Sequence, residues 1–330
     1  MRTSLALAGV LVVLGSAAAL AASASLPLKE VADIPLPGGA SRLDYASIDS
    51  KRGTLFIAHL GGGLVIAFDL HRRRVVRTIS APGAHGVLAV PELGRVFATA
   101  TDARQLLTID ARTGSVLARA AAGVYPDGIA YDPVERRVFV SDEVGGAVTV
   151  FSAKGKRIGR VGLGFGSSVG NVQYDSGSGH VLVDVQSQNV VAVIDPRSLR
   201  ILRRVSLPGC ENDHGLYVDA ERRLAFVACD HNAALLTLDL TRMKVTGRAA
   251  VGDEPDVLAF DGPLRRLYVA SESGVIAVFS ERGRALRKLA QAFLASNAHA
   301  VAVDSKTHLV YFPLEHGPVL RIMAPPGTHR

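Results

Sequence analysis

An internal repeat of about 42 residues constrains the fold of this chain more than any other sequence feature. The segments YDPVERRVFVSD, VDAERRLAFVAC, FDGPLRRLYVAS, IDSKRGTLFIAH and VDSKTHLVYFPL are copies of one pattern, and VPELGRVFATAT and YDSGSGHVLVDV are weaker copies. Successive anchor positions are 41, 42, 43, 44, 42 and 43 residues apart: Asp49, Val90, Asp132, Asp175, Asp219, Asp261 and Asp304. Seven units of this period predict a closed or stacked repeat architecture.

Each unit contains short apolar runs of period two, separated by clusters of Gly, Asp, Ser, Pro and Arg. The third unit reads GIAYD, RVFVS, AVTVFS and RIGRVGL between residues 128 and 163. This pattern is typical of antiparallel strands joined by tight turns, and four strands per repeat describe one propeller blade. The sequence therefore predicts an all-β fold, a seven-bladed β-propeller of four-stranded antiparallel blades.

The two ends of the chain predict how the ring closes. The last unit supplies three strands, near HAVAVD, LVYFPL and VLRIMA, and the segment LKEVADIPLPGG at 28 to 39 resembles the fourth strand of other units. We expect residues 28 to 36 to pair beside residues 318 to 325. An N-terminal strand that completes the last blade removes the unpaired sheet edges of an open array.

Residues 1–24 have the layout of a secretory signal peptide. Arg2 precedes an uncharged run from Ser4 to Ala22, and the run ends in small residues. The alternative is an uncleaved anchor, although the second half of the run is only weakly apolar. We expect a signal peptide at 1–24, a single propeller domain at 25–330, a periplasmic or secreted location, and no stable membrane insertion after cleavage.

The only two cysteines, Cys210 and Cys229, are expected to form a disulfide. Paired thiols persist in the oxidising compartments that an exported chain reaches. Two thiols alone do not supply the ligands of a zinc ribbon or an iron–sulfur cluster.

The run VGDEPDVLAFDGPLRRLYVA and the strand endings AFDL, TIDA, VIDP and TLDL resemble the YVTN-repeat family, which includes the periplasmic YncE-like seven-bladed propellers. The resemblance covers residues 28 to 325. It implies the propeller fold and few assigned activities, and YncE-like proteins are associated with DNA binding. Because the chain has no tryptophan, it lacks the Trp-Asp dipeptide of WD40 blades, the tryptophan docking motifs of quinoprotein dehydrogenases and the Asp-boxes of sialidases.

One face of the predicted ring is rich in histidine and carboxylate. In a propeller, the loops that lead into the innermost strands share a face with the hairpins between the second and third strands. The position five before each anchor holds Asp44, His85, Asp127, Gly170, His214, Asp256 and His299, and the hairpins add His59, Asp102, Asp142, Gln186, Asp230, His231, Glu272, Glu315 and His316. We expect a ligand-binding ring at the channel mouth: Asp44, His85, Asp127, His214, Asp256 and His299.

The order of residues around this ring contains two overlapping His-Asp-His sets. One is His299, Asp44 and His85, and the other is His214, Asp256 and His299. Two imidazoles and one carboxylate form a recognised site for divalent first-row metals, so a divalent metal ion is a candidate cofactor. The alternatives are a hydrogen-bonded His–Asp ring and a polar pocket for a small molecule.

The opposite face is predicted to be basic, because its turns carry lysines and arginines. Such turns are usually a solvated surface, and the alternative is a surface for a polyanion such as DNA, although stacking aromatics are not interleaved among them. The residues are Lys51, Arg52, Arg72, Arg73, Arg74, Arg136, Arg137, Lys154, Lys156, Arg157, Arg222, Arg223, Arg265, Arg266, Arg282 and Arg284.

Three functions remain open on the sequence alone. The first is a non-catalytic binding or scaffold protein, whose small-molecule ligand or protein partner docks on the His/Asp-rich face. The second is a metal-dependent, lactonase-like hydrolase at the same face, and the third is binding of DNA or another polyanion by the basic face. H-E-x-x-H does not occur, and GSSVG at residues 166 to 170, which matches G-x-S-x-G, leads into no helical pattern of the kind that follows a nucleophile elbow, so we predict no catalytic residues.

Overall fold

The alternating apolar runs form strands throughout the computed structural model, which describes residues 25–327. The strands are β1 (Lys29–Pro35), β2 (Ala46–Asp49), β3 (Thr54–His59), β4 (Leu64–Asp69), β5 (Arg74–Ser80), β6 (Ala84–Val90), β7 (Arg95–Ala100), β8 (Gln105–Asp110), β9 (Val116–Ala121), β10 (Pro126–Asp132), β11 (Arg137–Asp142), β12 (Ala147–Ser152), β13 (Arg157–Gly162), β14 (Val172–Asp175), β15 (His180–Val185), β16 (Val190–Asp195), β17 (Arg200–Ser206), β18 (Asp213–Asp219), β19 (Leu224–Cys229), β20 (Ala234–Asp239), β21 (Lys244–Ala250), β22 (Pro255–Asp261), β23 (Arg266–Ser271), β24 (Val275–Arg282), β25 (Ala285–Phe293), β26 (Ala302–Asp304), β27 (Leu309–Leu314) and β28 (Val319–Ala324).

These strands form seven four-stranded antiparallel sheets, which confirms the predicted fold. Blades 1 to 6 take their strands in chain order, from β2–β5 to β22–β25, and blade 7 has the order β1-β28-β27-β26. The innermost strands of neighbouring blades contact each other around the channel. Short 3-10 turns at Gln186–Gln188 and Asp230–Asn232 follow the second strands of blades 4 and 5.

The N-terminal strand closes the ring as predicted. β1 pairs antiparallel with β28, from Lys29 opposite Ala324 to Pro35 opposite Val319. The Arg321 side chain reinforces this pair through two hydrogen bonds to the Asp33 carboxylate, of 2.9 and 2.6 Å. The edge of blade 7 is therefore covered by a strand from the other end of the domain.

The apolar core is divided into seven clusters, and each lies between two neighbouring blades. Alternation along a strand explains this division. In β11, Val138 and Val140 pack in the cluster shared with blade 2, whereas Phe139 packs in the cluster shared with blade 4. Since successive side chains of a strand point to opposite faces, each blade contributes to two interfaces. The seventh cluster joins blade 7 to blade 1.

The aspartate that ends six of the seven innermost strands holds the following turn. Asp49 accepts backbone hydrogen bonds from Lys51 (3.0 Å) and Arg52 (3.1 Å). In later units an arginine from the next blade also reaches this carboxylate, as Arg223 does to Asp175 at 2.5 Å. Similar pairs link neighbouring blades at Arg265–Asp219 and His308–Asp261.

The predicted signal peptide, residues 1–24, lies outside the residues that the structure describes. Between residues 25 and 327, none of the helical segments has the length and apolarity that a bilayer crossing requires.

Candidate functional site at the channel mouth

β-bulges at the start of the innermost strands place four of the predicted ring residues. The pairing register shifts between Ala84 and Val87 in β6, and equivalent shifts occur at the start of β10, β18 and β22. A bulge leaves a residue out of the ladder and redirects its side chain. The bulged positions hold His85, Asp127, His214 and Asp256. Asp44 and His299 precede the short strands β2 and β26.

The structure brings the six ring side chains together in two groups of contacts, which Arg42 links. His85 Nε2 lies 3.3 Å from an Asp44 oxygen and 3.5 Å from an Asp127 oxygen. His214 Nε2 lies 3.2 Å from Asp256, and His299 Nε2 lies 3.7 Å from Asp44. All of them are buried except His214, which is partly exposed. The seventh repeat position is Gly170, so blade 4 contributes no side chain to the ring.

Arg42 is part of this site, although the sequence pattern did not identify it. Its Nε donates a 2.9 Å hydrogen bond to Asp44 Oδ2, and its terminal nitrogen lies 3.7 Å from Asp256 Oδ2. The same nitrogen is 2.7 Å from Glu272 at the rim. The guanidinium thus joins carboxylates from blades 1 and 6. The sequence signal that could have placed Arg42 at the site is its position two residues before Asp44.

The ring separates two cavities along the channel. The mouth pocket, about 440 Å³, is lined by Arg42, Leu60, His85, Tyr125, Glu143, Ser168, Gln186, Asn212, His214, Asp230, His231, Glu254, Asp256 and Glu272. The inner cavity, about 360 Å³, has a mixed lining that includes Tyr45 and Asn171. Asn171 Nδ2 donates a 2.8 Å hydrogen bond to the Tyr45 hydroxyl, so blades 1 and 4 are joined across the channel.

Close approach between blades explains why Tyr45 and Asn171 are unusual at their repeat position. Blades 2, 3 and 5 have glycine there, and blades 6 and 7 have Val257 and Ala300. A Cβ on Gly86 would lie 2.1 Å from the Asp127 carbonyl oxygen, and one on Gly215 would lie 1.9 Å from that of Asp256. Tyr45 and Asn171 are the two polar side chains at this position. Their polarity, at a position that otherwise holds glycine, alanine or valine, was a usable sequence signal for the channel crossing.

Two ring carboxyls are held in the ionised form. Burial would raise the pKa of Asp44, but His85, His299 and Arg42 outweigh burial and hold the pKa well below its usual range. Burial likewise opposes ionisation of Asp256, whose pKa is nevertheless lowered by the neighbouring histidines. Asp44 and Asp256 therefore carry negative charge beside Arg42 and the ring histidines.

The other ring groups shift in the opposite direction. Burial would lower the pKa of His214, but Asp256 and Asp127 raise it well above the ordinary value. The pKa values of His85 and His299 are raised too, since nearby carboxylates outweigh burial. Burial raises the pKa of the Asp127 carboxyl. Opposed shifts of this kind are typical of functional clusters and also of structural ion-pair networks.

The hairpin residues predicted for this face divide into two groups. Gln186, Asp230, His231 and Glu272 line the mouth pocket. His59 is buried away from it and bonds to Ser41 and to the Pro37 carbonyl, while Asp142 accepts backbone hydrogen bonds from Val124 and Tyr125. The remaining three are not among the lining residues: Asp102, Glu315 and His316.

Cys210 and Cys229 are joined by a disulfide within blade 5. Cys210 precedes β18 and Cys229 ends β19, so the bond ties the loop that leads into the blade to its second strand. Both sulfur-bearing side chains are buried in the cluster between blades 4 and 5. The bond lies behind His214, whose loop it restrains.

Several arginines of the basic face are already paired. Arg52 lies 2.8 Å from Asp49, Arg72 lies 2.9 Å from Asp69, and Arg284 lies 2.9 Å from Asp239. Together with the pairs that link the blades, these contacts use part of the positive charge that the sequence places there. A polyanion surface on this face would have fewer free cations than the sequence count indicates.

A buried carboxyl pair between blades 4 and 5 was missed by sequence reasoning. Both oxygens of Asp184 lack a hydrogen-bond partner among residues 25–327, and Asp213 Oδ2 accepts a 3.1 Å bond from the Val185 N–H. Burial and the Asp213 charge raise the pKa of Asp184 well above its usual range, and burial raises the pKa of Asp213 to about 7. Because Asp184 lies within an ordinary apolar strand, the sequence offers no sign of its partner.

Comparison with known proteins shows the fold. No family model and no curated protein matches the chain. Among solved structures, a chain of the Kuenenia stuttgartiensis hydrazine synthase superposes with a TM-score of 0.76 at 13% identity, covering 89% of this chain and 97% of that one. A chain in a mitotic checkpoint complex gives a TM-score of 0.77 at 11% identity, covering 97% and 98%. Identities this low establish the propeller architecture alone.

Proposed function

We propose that this chain is an exported, YncE-like propeller of the YVTN-repeat kind, and that it binds without catalysis a ligand carrying a cationic group at the channel mouth. The charge of the mouth pocket carries this proposal. Its lining includes five carboxylates, one arginine and three histidines. Even with every histidine protonated, the carboxylates are in excess.

The cations that line the pocket are already paired with carboxylates. Arg42 contacts Glu272 and Asp44, and His231 lies 3.4 Å from Asp230. In contrast, Glu143 and Glu254 form no ion pair with any residue between 25 and 327. Burial and the charge of Asp127 raise the pKa of Glu143. A bound ammonium or guanidinium would relieve this repulsion and provide the missing counter-charge.

Exposed apolar side chains lie beside the same part of the mouth. Val124 adjoins Tyr125, Val144 adjoins Glu143, and Phe165 lies in the loop before Ser168. Backbone bonds tie this loop to the neighbouring hairpin, from Leu163 N–H to the Gly146 carbonyl and from Val169 N–H to the Glu143 carbonyl. Exposed apolar surface next to a polar pocket favours a ligand with an apolar part beside its cation.

Calorimetric titration of protein without an affinity tag tests the proposal. Hexylamine and 1,4-diaminobutane should bind, whereas hexanoate, which matches hexylamine in length but carries a negative charge, should not. Glu143→Gln should weaken amine binding about 5- to 30-fold, the effect expected from about 1–2 kcal/mol for one charged contact. Glu221→Gln, on the opposite face, is the matched control and should bind as the unaltered protein does.

Equal binding of amine and carboxylate, or an unchanged affinity in Glu143→Gln, would contradict a cation site at the mouth. Hydrolysis of a lactone by metal-loaded protein would favour the lactonase-like alternative over a binding protein.

A further inference from the structure

We propose that Asp44, Asp256 and His299 form a buried site for a divalent transition-metal ion beneath the mouth pocket. One donor atom from each residue lies within 4.8 Å of the other two. Asp44 and His299 are fully buried, and Asp256 is 4% exposed. This set contains two carboxylates and one imidazole, and it differs from both His-Asp-His sets that the order around the ring indicates.

Each of the three residues has a buried polar atom that forms no hydrogen bond with residues 25–327. Asp44 Oδ1, Asp256 Oδ1 and His299 Nε2 are buried and accept no hydrogen bond from any residue between 25 and 327. Burial of an unpaired polar atom is costly, so three such atoms facing one another require an explanation. A cation among them satisfies all three together.

Arg42 orients both carboxylates from outside this set. It contacts Oδ2 of Asp44 and lies near Oδ2 of Asp256. Asp44 Oδ1 is left without a hydrogen bond, and Asp256 Oδ1 has only the contact with His214 Nε2 at 3.2 Å. Groups that bind the second oxygen of a ligating carboxylate are typical of the layer around a metal ligand. The guanidinium also offsets part of the negative charge of Asp44 and Asp256.

The imidazole of His299 is oriented by a hydrogen bond at its other nitrogen, as in metal-ligating histidines. Its Nδ1–H donates a 3.0 Å hydrogen bond to the Asn297 carbonyl, so Nε2 is the atom presented to the carboxylates. A proton on His299 Nε2 would not form a hydrogen bond to Asp44 Oδ1, because the two atoms are 3.7 Å apart.

Mixed nitrogen and oxygen ligands favour zinc, manganese or ferrous iron over magnesium or calcium. His214 Nε2, 3.2 Å from Asp256 Oδ1, is the neighbouring group that competes with a metal for that oxygen. The amine-binding proposal does not require this metal, since the lining carboxylates Glu143 and Glu254 stand apart from the three donors.

The test uses the whole protein, purified without a tag, and Zn²⁺ or Mn²⁺ alone as the probe, with Mg²⁺ as the comparison ion. One equivalent of Zn²⁺ or Mn²⁺ should remain after dialysis and raise the melting temperature, and Mg²⁺ should do neither. His299→Gln and Asp256→Asn should each raise the dissociation constant of the metal at least tenfold.

Two further variants distinguish the three candidate sets. His85→Gln and His214→Gln remove histidines outside the proposed set, and each should keep one equivalent of metal. Loss of metal in His85→Gln or in His214→Gln would overturn the assignment in favour of a His-Asp-His set. Absence of bound Zn²⁺ and Mn²⁺ from folded protein, or full metal content in both His299→Gln and Asp256→Asn, would overturn the site. Circular dichroism identifies variants that fail to fold, and because two ligand variants are made, one misfolded variant leaves the other to decide.

Discussion

Tyr45 in blade 1 and Asn171 in blade 4 meet across the central channel, where the amide of Asn171 donates a 2.8 Å hydrogen bond to the hydroxyl of Tyr45. The two residues are 126 positions apart. Their contact lies between the charged ring and the inner cavity, because both line the inner cavity and neither lines the mouth pocket. It is a direct tie between blades that are not neighbours.

Removing this tie should destabilise the ring. Tyr45→Phe deletes the hydroxyl and leaves the Asn171 amide without its partner, which should lower the free energy of unfolding by about 1–2 kcal/mol. Denaturant unfolding followed by circular dichroism measures the change. Tyr217→Phe is the matched control, because the Tyr217 hydroxyl makes no hydrogen bond to residues 25–327. An equal loss in both variants would show that the channel-crossing bond adds nothing.

The buried pair Asp184 and Asp213 should make stability depend on pH. Burial raises the pKa of Asp213 to about 7 from an ordinary 3.8, and the pKa of Asp184 is raised as well. A raised pKa means that the folded protein binds protons more tightly than the unfolded chain. The stability that these protons provide should therefore be fully present below about pH 4 and be lost as the pH rises through 7, by about 1.4 kcal/mol for each pH unit that separates the folded from the unfolded pKa.

Asp184→Asn isolates this effect. The substitution removes one buried charge at similar volume, so unfolding free energies measured from pH 5 to pH 8 should fall less steeply than in the unaltered protein. Asp253→Asn, which changes an exposed carboxyl on the same face, should keep the original slope. A slope unchanged by Asp184→Asn would argue that the pair is not the source of the dependence.

The disulfide should contribute measurably to stability. It joins residues 19 positions apart, and closing a loop of this length stabilises a fold by about 3 kcal/mol in the chain-entropy estimate. The double substitution Cys210→Ala with Cys229→Ala should lower the unfolding free energy by about 2–4 kcal/mol. Reducing agent should lower the stability of the unaltered protein similarly and leave the double variant as it was. A variant as stable as the oxidised parent would contradict this.

The closing strand should be essential for solubility. Deletion of residues 25–38 removes β1 and exposes the edge of β28, a row of unpaired backbone groups open to another chain. Light scattering should show aggregation, and the melting temperature should fall. The milder variant Asp33→Asn keeps the strand and weakens only its contact with Arg321, so it should remain monodisperse. A deletion variant that stays soluble with an unchanged melting temperature would show that β1 does not close the ring.

The sequence determined the architecture because every repeat unit carries the local strand and turn pattern of a propeller blade. Period-two alternation sets which side chains enter each interface, as Val138 and Phe139 show, and the terminal Asp of the innermost strand sets the next turn. Repetition multiplies these weak local signals seven times. The missing fourth strand of the last unit also predicted closure by β1, since an unpaired edge is unfavourable whatever the loops do.

The site was predicted only in part, because its composition is local and its geometry is not. The repeat position identified which residues crowd the mouth, and Asp44 and His299 lie there as expected. The sequence did not determine which of them face one another. The β-bulges orient the side chains, and Arg42 contacts one oxygen of Asp44 and lies near one oxygen of Asp256. The proposed metal ligands therefore differ from the His-Asp-His sets that the order around the ring indicates.

Contacts between blades were decided by the tertiary structure alone. Tyr45 meets Asn171, and Asp184 meets Asp213, because ring closure sets the distances between strands that no local pattern relates. The same closure desolvates the carboxyls and shifts their pKa values in opposite directions, down at Asp44 and up at Asp213. Burial and charge partners are properties of the assembled ring, so the chemistry of the mouth follows from the tertiary structure even though its residues can be read from the repeat.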